Sequence, residues 1–383
     1  MSKKKIVLGV VATAIISSLL TLGGLALLLG LDSSGVVDMA RFVGVKRLIE
    51  THYVNDVDSK QLMEGAINGM VQSLGDPHSL YMKDDMFKAL KMQTTGSFGG
   101  IGVTMELKDN KVTIISVLEG TPGDKAGLKA NDEIVAVDGT PVTEYQPEEV
   151  PVHIRGEIGT EVALTIHREG SEDKDYQLTR DSITIRSAKG RMIDGTALGY
   201  IRIATFSENT GKEFREEYDK LAEAGMKGLV IDLRQNPGGL INSCVEVADM
   251  VVPKGPIVSV VQRDGSKEEH DSNLEESKYP IVVLIDGNSA SASEILAGAL
   301  QDTGAATLVG TKSYGKGSVQ VVVPLFHDDG VKLTIAKYYT PNGRCIDGIG
   351  IEPDVEVDFH EGDTTDVQLD KAKEILQEKV NPN

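Results

Sequence analysis

The apolar positions fall into four regimes along the 383-residue chain. From Ile6 to Leu31 there is not one charged residue, and a helix needs about 20 apolar residues to cross a bilayer. A cleaved signal peptide would have an apolar stretch of only ~7–15 residues ending in a small-x-small site. This run is longer, ends Leu27-Leu28-Leu29-Gly30-Leu31, and is followed by no cysteine that could carry a lipid. The pattern therefore favours an uncleaved transmembrane anchor at 6–31. Lys3, Lys4 and Lys5 sit in the preceding tail, 1–5, and basic flanks stay cytoplasmic. Everything after Leu31 is expected outside the cytoplasm.

Over 32–95 the spacing is helical. Val37, Ala40, Phe42, Val43, Val45, Leu48 and Ile49 give one broad apolar face, and Leu62, Ala66, Ile67, Met70, Val71 and Leu74 recur at steps of three and four. Gly75-Asp76-Pro77 closes this run. Two readings stay open: a spacer packed on its own body, or a dimerisation or substrate-gating element.

Over 96–182 the character changes to short strands with glycine turns. Ser97-Phe98-Gly99-Gly100-Ile101-Gly102-Val103 opens the block, followed by an apolar strand at 112–117. Next come Pro122…Ala126-Gly127-Leu128, then Asn131-Asp132-Glu133-Ile134-Val135-Ala136-Val137-Asp138-Gly139, and an alternating strand at 162–166. In this order the pieces resemble a PDZ domain. Such modules capture a peptide C-terminus as an added strand, its carboxylate held by backbone N–H groups. The resemblance assigns that role to Phe98, Gly99, Gly100, Ile101 and Gly102. Asn131 stands where such domains usually carry glycine, and asparagine tolerates positive φ. Arg155, on the block's last turn, reads as a surface residue or as a contact that fixes an active arrangement.

Over 183–358 strands alternate with helices: strands at 198–203, 228–233, 257–261, 281–285, 305–309, 319–323 and 331–336, helices at 214–221, 240–251 and 291–300. This predicts a parallel-rich sheet with covering helices, whose sites gather at the carboxyl ends of strands. A helical segment, 359–383, ends the chain.

Composition sharpens this picture in two respects. Lys+Arg total 39 against 58 Asp+Glu, for a net charge of −19, which excludes a nucleic-acid partner that would demand a basic surface. Without the leading lysines the exported part carries −22, and two cysteines, Cys244 and Cys345, make no disulfide framework. Glycine, at 41 residues, exceeds the usual ~7%.

Three strand ends could carry chemistry. Asp232-Leu233-Arg234-Gln235-Asn236-Pro237-Gly238-Gly239 runs into a helix and exposes amides that could hold an oxyanion; taken alone, the segment reads more readily as a plain strand-to-helix turn. Asn288-Ser289-Ala290-Ser291-Ala292-Ser293-Glu294 places serines at a helix start, where Ser291 and Glu294 also spell a capping box. Local pattern does not choose among Ser289, Ser291 and Ser293 as a nucleophile. Gly310 to Gly315-Lys316 nearly matches a phosphate-binding loop, but Gly317 and a Val-rich strand follow where Ser or Thr and a helix are required. Lys316 is then a turn lysine or a catalytic one. The seven histidines show no metal-ligand spacing, so no metal is expected; a Ser-His-Asp triad is not excluded by counting.

Taken together, these three strand ends, Tyr339-Thr340-Pro341-Asn342-Gly343, Gly350-Ile351-Glu352-Pro353-Asp354 and Asp76-Pro77-His78-Ser79…Tyr81 are similar to the carboxy-terminal processing (tail-specific) serine peptidases. The resemblance implies a ClpP/crotonase-like α/β core with an inserted PDZ domain, and cleavage of proteins near their C-termini. It makes Ser291 the nucleophile, Lys316 its base and Gln320 the residue that orients the lysine, with Gly238 and Ala292 amides as the oxyanion hole. No cofactor is implied. Partners would be extracytoplasmic proteins with apolar C-terminal tails, with the PDZ block recognising the tail and gating the enzyme, and with a homodimer through the N-terminal helices as one option. A lysine base must lose its proton, which its ordinary pKa of about 10.4 opposes and burial favours. Residues 310–325 contain no Asp or Glu, and on a regular strand Lys316 and Gln320 would face the same way.

Overall fold

A computed structural model describes residues 32–383, apart from 109–110, 146–148, 326–328, 361–362 and 382–383, together with Thr13, Ser17 and Thr21. The expected anchor at 6–31 thus lies almost wholly outside the described residues. Among those described, no helix is long and apolar enough to cross a membrane. The chain divides into two compact units, 1–81 and 82–383.

The first unit carries helices Ser33–His52 and Ser59–Gln72. Each starts on an aspartate cap: Asp32 accepts from the Gly35 amide and Asp58 from the Lys60 amide. Gly75, at φ +66°, stands just past the second helix, as a C-terminal glycine should. The apolar face predicted for the first helix is exposed at Val37, Val43, Val45 and Leu48.

In the second unit, helix Asp84–Thr95 leads into the PDZ block. Its sheet runs Val103–Lys108, Lys111–Val117, Glu133–Val137, Glu161–His167, Lys174–Thr179, all antiparallel. Alternate residues of these strands (Ile114, Ile134, Val162, Leu164) fill its core. Asn131 adopts φ +70°, the left-handed conformation its amide side chain permits. Asp132 is buried beside it and accepts from Arg168 Nε and Nη2 at 2.6 and 2.7 Å and from the Lys129 amide at 2.8 Å.

Beyond this block a six-stranded sheet has the order Ala188–Met192, Leu198–Ile203, Gly228–Asp232, Ile281–Ile285, Ala306–Gly310, Val355–Glu356. Its first pair is antiparallel and every other pair parallel. The continuous apolar runs at 229–231 and 281–285 are explained by burial on both faces. Leu229, Ile231, Ile281, Val283 and Ile285 join a core with helices Thr210–Glu223, Ile241–Ala248 and Ala292–Asp302. Val230, Val282 and Leu284 meet Ala372 and Leu376 of the last helix, Val367–Val380, on the other face.

Three strands predicted within the alternating pattern belong elsewhere. Ser318–Pro324, Gly330–Tyr339, Gly255–Gln262 and Lys267–Ser272 pair in that order as an antiparallel sheet. The fourth of these, Lys267–Ser272, has no counterpart among the predicted strands. It is a strand whose side chains are mostly exposed, so no apolar alternation marks it.

Candidate active site

The parallel sheet brings the three candidate segments together at its carboxyl edge. Strand Ile281–Ile285 ends in a turn whose last residue, Ser291, precedes helix Ala292–Asp302. Ser291 adopts φ +56°, ψ −115°, a conformation that costs an L-residue of order 1–3 kcal/mol and is held only by its surroundings. The three serines now differ. Ser289 and Ser293 are fully buried, and their hydroxyls donate to Leu233 O at 2.9 Å and Asn236 O at 3.0 Å. Both act as struts between neighbouring turns. Ser291, half-buried, stands at the strained corner between them.

Lys316 comes from the next strand end, on the loop between Ala306–Gly310 and Ser318–Pro324. Two buried side chains tie its backbone to that of Ser291. Glu294 Oε2 accepts from the amides of Ser291 and Lys316, each at 2.8 Å. Its Oε1 accepts from the Ser313 hydroxyl at 2.5 Å and the Gly315 amide at 2.7 Å. The Tyr338 hydroxyl lies between the carbonyl oxygens of Ser291 and Lys316, at 3.0 and 2.5 Å. Sequence reading saw Glu294 only as a helix cap and did not single out Tyr338. Burial pushes the Glu294 carboxyl above its ordinary pKa, against the pull of its donors, and it pushes the Tyr338 phenol well up.

Two expectations about Lys316 need correction. Lys316 precedes strand Ser318–Pro324, and the pairing of that strand shifts register between Val319 and Gln320. The even spacing of Lys316 and Gln320 therefore says nothing about shared facing. The local absence of acidic residues is also no guide, since Glu294 and Asp347 reach this loop from other elements; Asp347 accepts from the Gly317 amide at 3.2 Å. Gln320 donates through Nε2 to Ser318 Oγ at 2.9 Å and Thr334 Oγ1 at 3.2 Å, which leaves its carbonyl as the end that can accept from a lysine.

The turn after Gly228–Asp232 completes the group. A Cβ on Gly238 (φ +98°) would stand 2.8 Å from Ser291 Cβ and 2.9 Å from the Ala292 nitrogen, so only glycine fits against the serine. The Gly238 N–H, however, donates to Asn236 Oδ1 at 2.8 Å. The expectation that this amide serves the oxyanion is corrected: the asparagine turn already uses it. Ala292 opens its helix, where an N–H has no intrahelical acceptor. Below it, the Cys244 thiol is buried and donates to Ala292 O at 3.1 Å; burial raises its pKa far above the ordinary value. Both cysteines are free.

Arg234 anchors the base of this turn. Its guanidinium donates through Nε and Nη2 to Asp232, through Nη1 and Nη2 to Asp366, and through Nη1 to Gln368, all within 3.0 Å. All five N–H groups of the side chain are thus engaged. Burial works against its charge, yet the two carboxylates hold its pKa above the ordinary value.

In the PDZ block, strand Ser97–Gly100 pairs with Asp181–Thr184. The Ile101 and Gly102 carbonyls accept from Gly123 and Leu118, so these two residues turn their oxygens into their own domain. The exposed Arg155 guanidinium lies 4.6 Å from the Phe98 ring centroid. Among the described residues, Val103–Lys108 is an edge of the sheet, open to strand addition.

The sequence matches the profile of Peptidase family S41 over 197–357, of a PDZ domain over 99–178, and of the activating protease CtpB N-terminal domain over 31–86. The carboxy-terminal-processing protease of Bartonella bacilliformis is 41% identical over 84% of this chain and 75% of its own length. The carboxy-terminal processing protease CtpB of Bacillus subtilis is 39% identical over 85% of this chain and 69% of its own. Among solved structures, a photosystem II D1 C-terminal processing protease aligns at 31% identity and TM-score 0.49, over 88% of this chain and 96% of that one. The chain belongs to the S41 peptidases, serine-type enzymes of the carboxy-terminal processing group, and carries a PDZ domain.

Proposed function

We propose that the chain is a membrane-anchored endopeptidase that cuts extracytoplasmic proteins near their C-termini by a Ser291–Lys316 dyad. The observation that carries this reading is the pairing of the two segments. Ser291 and Lys316 share one carboxylate through their amides and one phenol through their carbonyls.

In the proposed reaction Ser291 Oγ attacks the scissile carbonyl while Lys316 Nζ takes the hydroxyl proton. The Ala292 N–H and an amide of the Asn236–Gly239 turn hold the oxyanion. The tetrahedral adduct collapses, Lys316 returns the proton to the leaving amine, and an acyl-enzyme remains. Water, giving its proton to Lys316, then attacks the acyl carbonyl, and as the acyl group leaves Lys316 returns that proton to Ser291 Oγ. Gln320 accepts from the lysine and fixes its direction.

The PDZ block receives the substrate's apolar tail beside Val103–Lys108, its carboxylate held by amides within 98–102, and a bound tail gates the cleft. Residues 6–31 anchor the chain as a single pass with residues 32–383 on the periplasmic or cell-wall side. The core follows the ClpP/crotonase-like plan, and the exposed face of Ser33–His52 pairs two copies. No cofactor enters the scheme.

The test is to incubate the full chain in detergent with an unstructured protein bearing an apolar C-terminus. Cleavage should fall by about 10³-fold or more in Ser291→Ala and in Lys316→Ala. Normal cleavage by either variant would overturn the dyad. Binding without any cut in the wild type would reduce the chain to a scaffold.

A further inference from the structure

The turn facing Ser291 contains a fully buried side chain that the proposed reaction leaves without a task. Asn236 has a partner for every polar group. Its Nδ2 donates to Ile203 O at 2.9 Å, and its Oδ1 accepts the Gly238 amide at 2.8 Å. Its own amide donates to Leu233 O at 3.2 Å. Its carbonyl accepts from the Ala290 amide and from Ser293 Oγ, both at 3.0 Å. Asn236 therefore grips the strand end at Ile203, the glycine turn and both sides of the nucleophile corner at once.

This arrangement decides which amide the turn can offer. Pro237 has no N–H, and that of Gly238 is taken. Gly239 forms a parallel bridge with Phe206, in which Phe206 N donates to Gly238 O at 2.9 Å and Leu240 N to Phe206 O at 2.8 Å. A residue flanked in this way turns its own N–H to the opposite side. A Cβ on Gly239 would lie 2.1 Å from Phe206 O, so no other residue can hold that pose.

We infer that Asn236 is the positioning residue of the oxyanion pocket. By consuming the Gly238 N–H its side chain makes Gly239 the donor from this turn, and by donating to Ile203 O it fixes that donor's distance from the Ala292 amide; the backbone carbonyl that accepts from Ala290 and Ser293 is common to every variant. The inference rests on the serine-peptidase reading above.

Asn236→Ala in the full chain tests it, with a fluorogenic peptide as substrate and two ligands of one sequence. One ligand is a C-terminal aldehyde, whose adduct with the serine places an oxyanion in the pocket; the other is the plain carboxylate peptide. The expected result is a fall in kcat of about 10²-fold with KM within about twofold. The aldehyde should weaken in parallel with kcat while the carboxylate peptide binds as before. Asn236→Ser should regain part of the loss, because a hydroxyl can also accept from the amide two residues on. It also supplies the same comparison of ligands if the alanine variant does not fold. Equal weakening of both ligands, or an unchanged kcat, overturns the inference. Cleavage that survives Ser291→Ala would instead remove the peptidase reading beneath it.

Discussion

The Ser291 corner and the Phe98 segment of the PDZ block both lie on glycine-rich turns, and they are held in opposite ways. At the corner, Asn236, Glu294 and Tyr338 are at most 1% exposed, and they engage backbone amides or carbonyls of Ser291, Lys316, Gly315 and Gly238. In the PDZ block, the Phe98 segment is braced by strand pairing and by an arginine that is itself exposed, beside an edge strand. Bond-making tolerates little misplacement of reacting groups, and on the proposed chemistry that is the demand met by buried polar side chains whose removal is costly. Peptide capture by strand addition needs unpaired backbone groups at an accessible edge, so the groove is left open.

Glu294→Leu should break this contrast most sharply. It strands the amides of Ser291, Gly315 and Lys316 and the Ser313 hydroxyl, each an unpaired buried donor costing about 1–3 kcal/mol. We expect kcat to drop by about 10²-fold or more, together with a lower Tm. Glu294→Gln, which keeps one acceptor oxygen, should lie between. A leucine variant with wild-type kcat would show that the shared carboxylate is dispensable.

Tyr338→Phe removes only the hydroxyl between the two carbonyls. With about 1 kcal/mol at stake, steady-state kinetics should show roughly a fivefold loss of kcat and little change in KM. A rise confined to KM would place the phenol's effect in substrate binding instead.

Acidity should separate the two regions. At Asp132 burial raises the carboxyl pKa, but the Arg168 guanidinium and the Lys129 amide win, and the net value lies below the ordinary 3.8. Its stabilising contribution is complete above that ordinary value and is lost as pH falls through the lower folded one. Glu294 is shifted upward, so its contribution is complete below its ordinary value and is lost as pH rises through the raised one. Hydrogen exchange across this acid range should show amides near 129–134 losing protection on acidification. Asp132→Asn should flatten that slope, and Glu294→Gln should flatten the opposite one at 291–296. Slopes of one sign in both regions would contradict the assignment.

The smallest effect is expected at Arg155→Ala. An exposed cation–π contact contributes about 0.5–1 kcal/mol, so the KM for a tail-bearing peptide should rise about two- to fivefold. No change would mean that the Phe98 turn holds itself.

Much of the α/β unit was legible from its apolar spacing: the unbroken run at 281–285, buried on both faces, matches Ile281–Ile285, and the predicted strand 198–203, interrupted by an exposed Arg202, matches Leu198–Ile203. The turns of the corner were equally visible as glycine and serine punctuation. What holds them was not. Glu294 reads as a cap from its neighbour Ser291, and only the fold brings Lys316 to it from 22 positions away. Tyr338 reaches Ser291 across 47 positions, from within a strand whose spacing predicts only apolar packing. Lys267–Ser272 escaped detection for the reverse reason, since an exposed strand has no buried face to impose a period.

The arginine at the base of the Asn236–Gly239 turn ties that turn to a distant part of the sequence. Arg234 finds Asp232 at once, but its remaining acceptors, Asp366 and Gln368, lie 132 and 134 positions downstream. In a chain made from its N-terminus, Arg234 has Asp232 alone of these partners until that stretch is made. Closing so long a loop costs chain entropy before any contact repays it. The last helix is therefore a keystone: Asp366, its cap, and Gln368, in its first turn, supply the remaining acceptors for the arginine beneath the Asn236–Gly239 turn.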